Sequence, residues 1–163
     1  MKIFKLLFCF LFLSILCYAQ KSSFTTSISS GYGESKVLKG FNTDVSLGYF
    51  IQNKVHLDLG FIYGTEFRNN PSDKYLLGTS FLVGRDFNFG LERLDIKGYL
   101  GVSYFYLTRK FESDLDAVLW TLTTYIGYRL SDTVTVGFKC AAFLGGNSDL
   151  DFGQLNAFFA FRF

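Results

Sequence analysis

The chain has 163 residues, of which 16 are Lys or Arg and 14 are Asp or Glu, so its formal net charge is +2. A balance this close to neutral disfavours nucleic acid as a partner, because phosphate backbones are bound by surfaces with a basic excess. Aromatic residues make up 20% of the chain and there is one proline, a composition that favours an all-β protein.

The first segment has the features of a cleaved signal peptide. Lys2 and Lys5 precede an apolar run over residues 6–13, and Ala19 is a small residue suited to cleavage. The run is too short to cross a bilayer as a helix. We therefore predict a signal peptide at residues 1–19.

Residues 20–163 are predicted to form a single domain. Two of the three cysteines leave with the signal peptide, so Cys140 has no partner for an internal disulfide. A secreted domain without disulfides must be stabilised by packing or by a membrane. The alternative for the N-terminus is an acylated Cys17, which the bulky Leu16 before it disfavours.

The first half of this domain contains four segments in which apolar and polar side chains alternate. In the second of them Val45 and Leu47 alternate with Asp44 and Ser46. Side chains on a strand point to opposite faces in turn, so the pattern predicts strands with one apolar and one polar face. The predicted strands span residues 24–33, 41–52, 55–66 and 75–87.

The second half repeats the pattern and closes on an aromatic strand. In the last segment Phe159, Phe161 and Phe163 share one face, and Asn156 and Arg162 lie on the other. Most of the predicted strands have about ten residues or more, the length of a transmembrane β-strand. The strands predicted here span residues 94–106, 117–130, 134–144 and 150–163.

The connections alternate between tight turns and longer loops. The tight turns follow the second, fourth and sixth strands, at the end where both termini lie. Short turns at one end and longer loops at the other are typical of outer-membrane barrels. The fold class predicted is all-β: an eight-stranded antiparallel up-and-down transmembrane β-barrel with a filled polar interior.

Aromatic residues on the apolar faces fall into two groups. This distribution indicates that the apolar faces are on the outside of the barrel. One group lies near the loop end and the other near the turn end, with mostly aliphatic residues between them. Two aromatic girdles around an aliphatic band are what a bilayer with two interfaces selects, and a soluble lipocalin-like barrel has no reason to sort its aromatics this way. The loop-end group is Tyr32, Tyr63, Tyr75, Tyr104, Tyr106 and Trp120; the turn-end group is Phe24, Tyr49, Phe87, Tyr128, Phe161 and Phe163.

The opposite faces carry charges of both signs, which are predicted to form a polar network inside the barrel. In a narrow barrel these charges should pair, because an unpaired buried charge costs several kcal/mol. The predicted network is Asp44, His56, Asp58, Glu66, Asp86, Asp95, Lys97, Arg129, Lys139 and Arg162.

Little in the sequence points to catalysis or to a cofactor. His56 is the single histidine and shares its face with Asp58, yet it lies near the turn end and inside the barrel, away from outer-leaflet lipid. No metal-ligand cluster or nucleophile motif is present in the sequence, and no cofactor is predicted. The most charged loop offers candidate surface contacts at Arg109, Lys110, Phe111 and Glu112.

The chain resembles the small bacterial outer-membrane β-barrels of the OmpX and OmpA-transmembrane type. The resemblance lies in the closing strand LNAFFAFRF with its terminal Phe163, in the signal peptide, and in the regular succession of hairpins. The resemblance implies a non-enzymatic barrel in the outer membrane of a Gram-negative bacterium, with both termini periplasmic and no large open pore. It also implies two partners: outer-membrane lipids, and the barrel-assembly machinery, which would recognise the closing strand. The role it implies is structural or a surface interaction.

Three other functions are compatible with the sequence. The first is an accessory barrel of a secretion or assembly system, as in the PorT-like families. The second is an outer-membrane enzyme that hydrolyses or acylates lipid A. The third is a soluble lipocalin-like binder, in which the apolar faces would line an internal cavity.

Overall fold

The computed structural model describes residues 24–35, 39–52, 55–66, 74–87, 89–109, 115–145 and 151–163. These residues form eight strands, the number that the alternation predicted. No helix in these ranges is long and apolar enough to cross a membrane. The strands are β1 (Phe24–Ser35), β2 (Lys39–Gln52), β3 (Val55–Glu66), β4 (Lys74–Phe87), β5 (Leu94–Arg109), β6 (Leu115–Arg129), β7 (Val134–Leu144) and β8 (Phe152–Arg162).

The strands form one closed barrel in which every neighbour is antiparallel and β1 pairs with both β2 and β8. Following the paired residues once around the barrel from Thr25 leads back to Ser35 on the same strand, a stagger of ten residues. With about 3.3 Å per residue and about 4.8 Å between strands, this stagger tilts the strands by about 41°. Closure leaves no open sheet edge, as a membrane requires.

Strands β5 and β6 extend further into the charged loop than the sequence pattern predicted. Pairing continues to Lys74 opposite Arg109 and to Leu107 opposite Leu115. Backbone hydrogen bonding to a neighbouring strand continues the extended conformation after the apolar alternation has ended, which the side-chain pattern cannot reveal. The tight turn between β4 and β5 contains Gly90, whose positive φ of 79° suits a residue without a Cβ.

The interior is filled by side chains in layers. The layer nearest the loops is apolar and contains Ile62, Leu76, Phe105, Leu107, Leu119, Ala141 and Phe143. A second apolar cluster lies towards the turn end and contains Leu82, Tyr99, Tyr125 and Phe158. Polar and charged side chains occupy the rest, so the interior is filled as predicted but polar only in part.

Several of the interior rings lie over glycines of a neighbouring strand. Gly78 and Gly84 on β4 pair with Phe105 and Tyr99 on β5. A Cβ at either glycine would overlap the ring opposite it. The missing side chains thus give the rings room to cross the narrow lumen.

Candidate functional site

The outer surface of the barrel is a continuous apolar belt. Leu100 and Leu122 pair across β5 and β6 and keep 58% and 55% of their surface exposed. Phe61, Phe81 and Phe138 are similarly exposed on other strands. Soluble monomers rarely expose connected apolar areas above a few hundred Å². The belt therefore needs a hydrocarbon environment.

The aromatic residues predicted for the two interfaces lie on the outside of the barrel. Tyr32, Tyr49, Tyr63, Phe87, Tyr104, Trp120, Tyr128, Phe161 and Phe163 are exposed, whereas Tyr75 and Tyr106 are half-buried against their neighbours. At the turn end Arg93 donates a hydrogen bond to the Tyr128 hydroxyl over 3.1 Å. At the loop end Tyr104 donates to Asp116 over 3.3 Å. A ring in the apolar belt with a hydroxyl among polar groups is the arrangement expected at a membrane interface.

At the centre of the interior lies an ion pair between Asp44 on β2 and Lys139 on β7. Both side chains are almost inaccessible to solvent. The Lys139 ammonium also lies 5.3 Å from the centre of the Tyr125 ring. Each charge is therefore compensated inside the lumen, which offsets the cost of removing it from water.

A chain of polar side chains continues from this ion pair towards the turn end. The Ser46 hydroxyl donates to Asp58 over 3.1 Å and lies 2.8 Å from the hydroxyl of Ser27. On the adjacent pair of strands, the Asn156 amide of β8 donates to Ser29 of β1 over 3.2 Å. These bonds link β1 to β2, β2 to β3 and β1 to β8, so they support the register of four adjacent strands.

The remaining charges gather at the turn-end mouth. His56 is buried, and its Nε2 atom lies 2.6 Å from Oδ1 of Asp86 in a contact that is not aligned as a hydrogen bond. Asp95 contacts Lys97 at 3.2 Å and Arg129 at 4.0 Å.

Aromatic rings also contact the charged side chains at this mouth. The Arg162 guanidinium lies 4.5 Å from the centre of the Phe50 ring. The same ring is 3.9 Å from the His56 ring, centre to centre. The predicted interior charges other than Asp58, which belongs to the polar chain, and Glu66 are thus divided between a buried central pair and a partly exposed mouth.

The loop end of the lumen is closed by apolar rings, which we call the apolar plug: Phe105, Phe143 and Phe152 with the leucines of the same layer. Phe143 and Phe152 stack at 4.4 Å with an angle of 9° between their planes. Phe105 meets Phe143 edge-on at 4.8 Å. The plug was not predicted from the sequence. The feature that could have indicated it is the position of Leu76, Phe105 and Phe143 on the inward faces of their strands, which are otherwise mostly polar.

Some predicted residues lie outside the described part of the chain. Lys110, Phe111 and Glu112 belong to the interval between β5 and β6, and the described side chains do not include Arg109 or Glu66. Residues 1–23, which contain the predicted signal peptide, are also outside. These assignments stay predictions.

Within the described ranges, no group of three His, Cys, Asp or Glu side chains could hold a metal ion. Cys140 points outward on β7 and is exposed. It pairs with Thr124 and Leu155 in the belt, where a thiol acts as a small apolar side chain.

No family model and no curated protein matches the chain. Solved structures do match it. The neisserial surface protein NspA has a TM-score of 0.69 and 16% identity, over 88% of this chain and 98% of that one. The N-terminal β-barrel domain of Pseudomonas aeruginosa OprF has a TM-score of 0.63 and 13% identity, over 85% of this chain and 97% of that one. Ail, the attachment invasion locus protein of Yersinia pestis, has a TM-score of 0.59 and 11% identity, over 86% of this chain and 97% of that one. Identities this low show a shared fold.

Fold and belt together define the class: the chain is a small transmembrane β-barrel of the outer-membrane type, as predicted. Phe24 and Phe163 lie at the turn end, where the Phe163 amide donates to the Phe24 carbonyl over 2.8 Å. In outer-membrane barrels this end is periplasmic. The lipocalin-like alternative is wrong, because the apolar faces point outward and the lumen is filled.

A closed barrel of this kind should be heat-modifiable in gel electrophoresis. In dodecyl sulfate without boiling, the hydrogen-bonded barrel should stay compact and migrate faster than the boiled chain, because its ladder has no edge at which unfolding can begin. The measurement compares boiled and unboiled samples taken from the outer-membrane fraction. Identical mobility, together with recovery in the soluble fraction, would contradict the membrane assignment.

Proposed function

We propose that the protein is a closed, non-enzymatic structural barrel of the outer membrane that carries no diffusion pathway. The observation that carries this proposal is the filling of the lumen at two levels. The apolar plug occupies the loop end, and the Asp44–Lys139 pair with its hydrogen-bonded neighbours occupies the centre. Water and solutes would need to displace both layers to pass.

The small volume of the pockets inside the barrel supports this proposal. Among the described residues, two interior pockets at the turn end have volumes of about 30 Å³ each. One is lined by Ser46, Asp58 and Tyr99, and the other by Asp86, Asp95 and Arg162. A volume of this size suits ordered water, whereas sites for organic ligands are typically about 300–1,000 Å³.

The surroundings of His56 argue against an enzyme acting on outer-leaflet lipid. The side chain is buried at the periplasmic end, between Asp86 and the rings of Phe50 and Tyr99. A catalyst for lipid in the outer leaflet would need its base near the loop end and open to the outside. We assign His56 a role in closing the mouth.

A surface-interaction role is the second candidate, and the extension of β5 and β6 favours it. These strands continue beyond the Tyr104 and Tyr106 level to Arg109 and Leu115. The ends of both strands therefore project past the aromatic level, where a protein partner could reach them. One solved structure of Ail is a complex with the heparin analogue sucrose octasulfate. An accessory role in secretion or assembly would use the same surface.

Liposome swelling tests the closed state. Proteoliposomes containing the protein should swell in isotonic arabinose no faster than empty liposomes, and planar bilayers should show no unitary conductance, because the plug and the ion pair block the lumen. A general porin reconstituted in the same lipid is the positive control. Swelling that scales with the amount of protein would contradict the proposal.

A further inference from the structure

A groove lies on the outer surface of the barrel, on the loop-end half of β2, β3, β4 and β5. We call it the β4 trough. Its floor is Leu77 and Thr79 on β4, flanked by Phe61 and Tyr63 on β3 and by Tyr104 and Tyr106 on β5. The groove also reaches Thr43 and Val45 on β2, beyond the β3 rings. The groove has a volume of about 560 Å³ and is lined almost entirely by apolar atoms.

The strand register explains why the trough forms. Thr79 pairs with Phe61 on one side and Tyr104 on the other, and Leu77 pairs with Tyr63 and Tyr106. On two successive outward rungs a smaller side chain therefore lies between two aromatic rings. The rings form two ridges parallel to β4, and the floor between them is recessed.

The position of the trough restricts what can occupy it. Its lining residues belong to the apolar belt, and its loop-end side is marked by the hydrogen bond between Tyr104 and Asp116. A groove at this depth is continuous with the lipid-facing surface. Water and peptide groups are disfavoured there, because their hydrogen-bonding groups would find no partners in hydrocarbon. The acyl chains of lipids, by contrast, are present in the membrane along the whole belt.

We propose that the β4 trough is a binding site for one hydrocarbon chain of an outer-leaflet lipid, held more tightly than the chains around the rest of the belt. The proposal rests on the membrane placement given above. The preference cannot come from the hydrophobic effect, because every competing position is equally apolar. It comes from contact: a chain in the trough meets carbon atoms on three sides, and on the smooth belt it meets them on one.

Photo-crosslinking in a bilayer tests this site. The full-length barrel is reconstituted in phosphatidylcholine vesicles containing a small fraction of phosphatidylcholine with a diazirine about halfway along one chain. After illumination, labelled positions are identified by peptide mass spectrometry. We expect about fivefold more label on β4 trough residues than on β7 positions in the same half of the barrel, as roughly ten additional carbon contacts would give.

Two tryptophan variants form a matched pair. Thr79→Trp fills the trough floor and should reduce its labelling to the level of the belt. Ala142→Trp adds a ring on β7, where Ala142 also lies in the loop-end half and pairs with Leu122 and Gly153, and should leave trough labelling unchanged. Both side chains face lipid, and heat-modifiability confirms that each variant is folded.

Uniform labelling around the belt would overturn the proposal, and so would enriched labelling that survives Thr79→Trp. Absence of label from the entire belt would instead overturn the membrane placement on which the proposal rests.

Discussion

Replacement of Lys139 by methionine is expected to lower the free energy of unfolding by about 3–5 kcal/mol, the range for breaking a buried ion pair by removal of one partner. Methionine keeps much of the length of lysine and removes the charge. The carboxylate of Asp44 would remain in the lumen with no cation against it, where its side chain has 1% of its surface exposed. The measurement is urea unfolding of the barrel in phosphatidylcholine vesicles.

The same substitution at Lys39 is the matched control. Lys39 pairs with Glu34 at the loop end, where the two side chains are 53% and 49% exposed. Solvent screens such a pair, so Lys39→Met should cost about 0–1 kcal/mol. The double variant Asp44→Asn with Lys139→Met should lose less than Lys139→Met alone, because no uncompensated charge remains. Equal losses for Lys139→Met and Lys39→Met would show that the central pair contributes no more than a surface contact.

The second large effect is expected for Leu100→Arg. Leu100 lies in the middle of the belt on β5, between Val83 and Leu122 on the neighbouring strands. An arginine facing lipid near the bilayer midplane destabilises a transmembrane barrel by about 2–4 kcal/mol. Unfolding in the same vesicles measures this loss, and the heat-modifiable band should disappear at a lower temperature.

Leu130→Arg separates the membrane effect from a general intolerance of arginine. Leu130 is in the tight turn between β6 and β7 and has the same exposed fraction as Leu100, 58%. In water the two substitutions would cost equally little. In a bilayer Leu130 lies at the interface, where arginine costs about 0–1 kcal/mol. If Leu100→Arg proves as stable as Leu130→Arg, the outward face of β5 is not in contact with hydrocarbon.

The facing of each strand could be predicted because it is a local property. Val45 and Asp44 are adjacent in sequence and point to opposite faces whatever the rest of the chain does. The tight turns could be located for a similar reason, because alternation stops and resumes within a few residues. The extension of β5 and β6 could not be predicted, since strand pairing there continues without an apolar pattern.

The composition of the interior was predicted less well than its location. The alternation is compatible with an inner position for Phe105 and Phe143, but the polar residues that dominate the inner faces give no indication that these rings meet in one layer. Their meeting depends on Gly78, which leaves room for the Phe105 ring, and on the pairing register of β7 and β8, which places Phe143 opposite Phe152.

The sequence by itself determined the strands, their faces, the turn end and the need for a bilayer, because side-chain direction alternates with a period of two residues along any strand. Only closure of the barrel decided which distant residues meet. Asp44 and Lys139 are 95 positions apart and form a pair because a ten-residue stagger brings β2 and β7 to face each other across the lumen. The β4 trough likewise exists because register places aromatic residues of β3 and β5 on either side of Thr79. Stagger is a property of the closed sheet, and no single strand carries it.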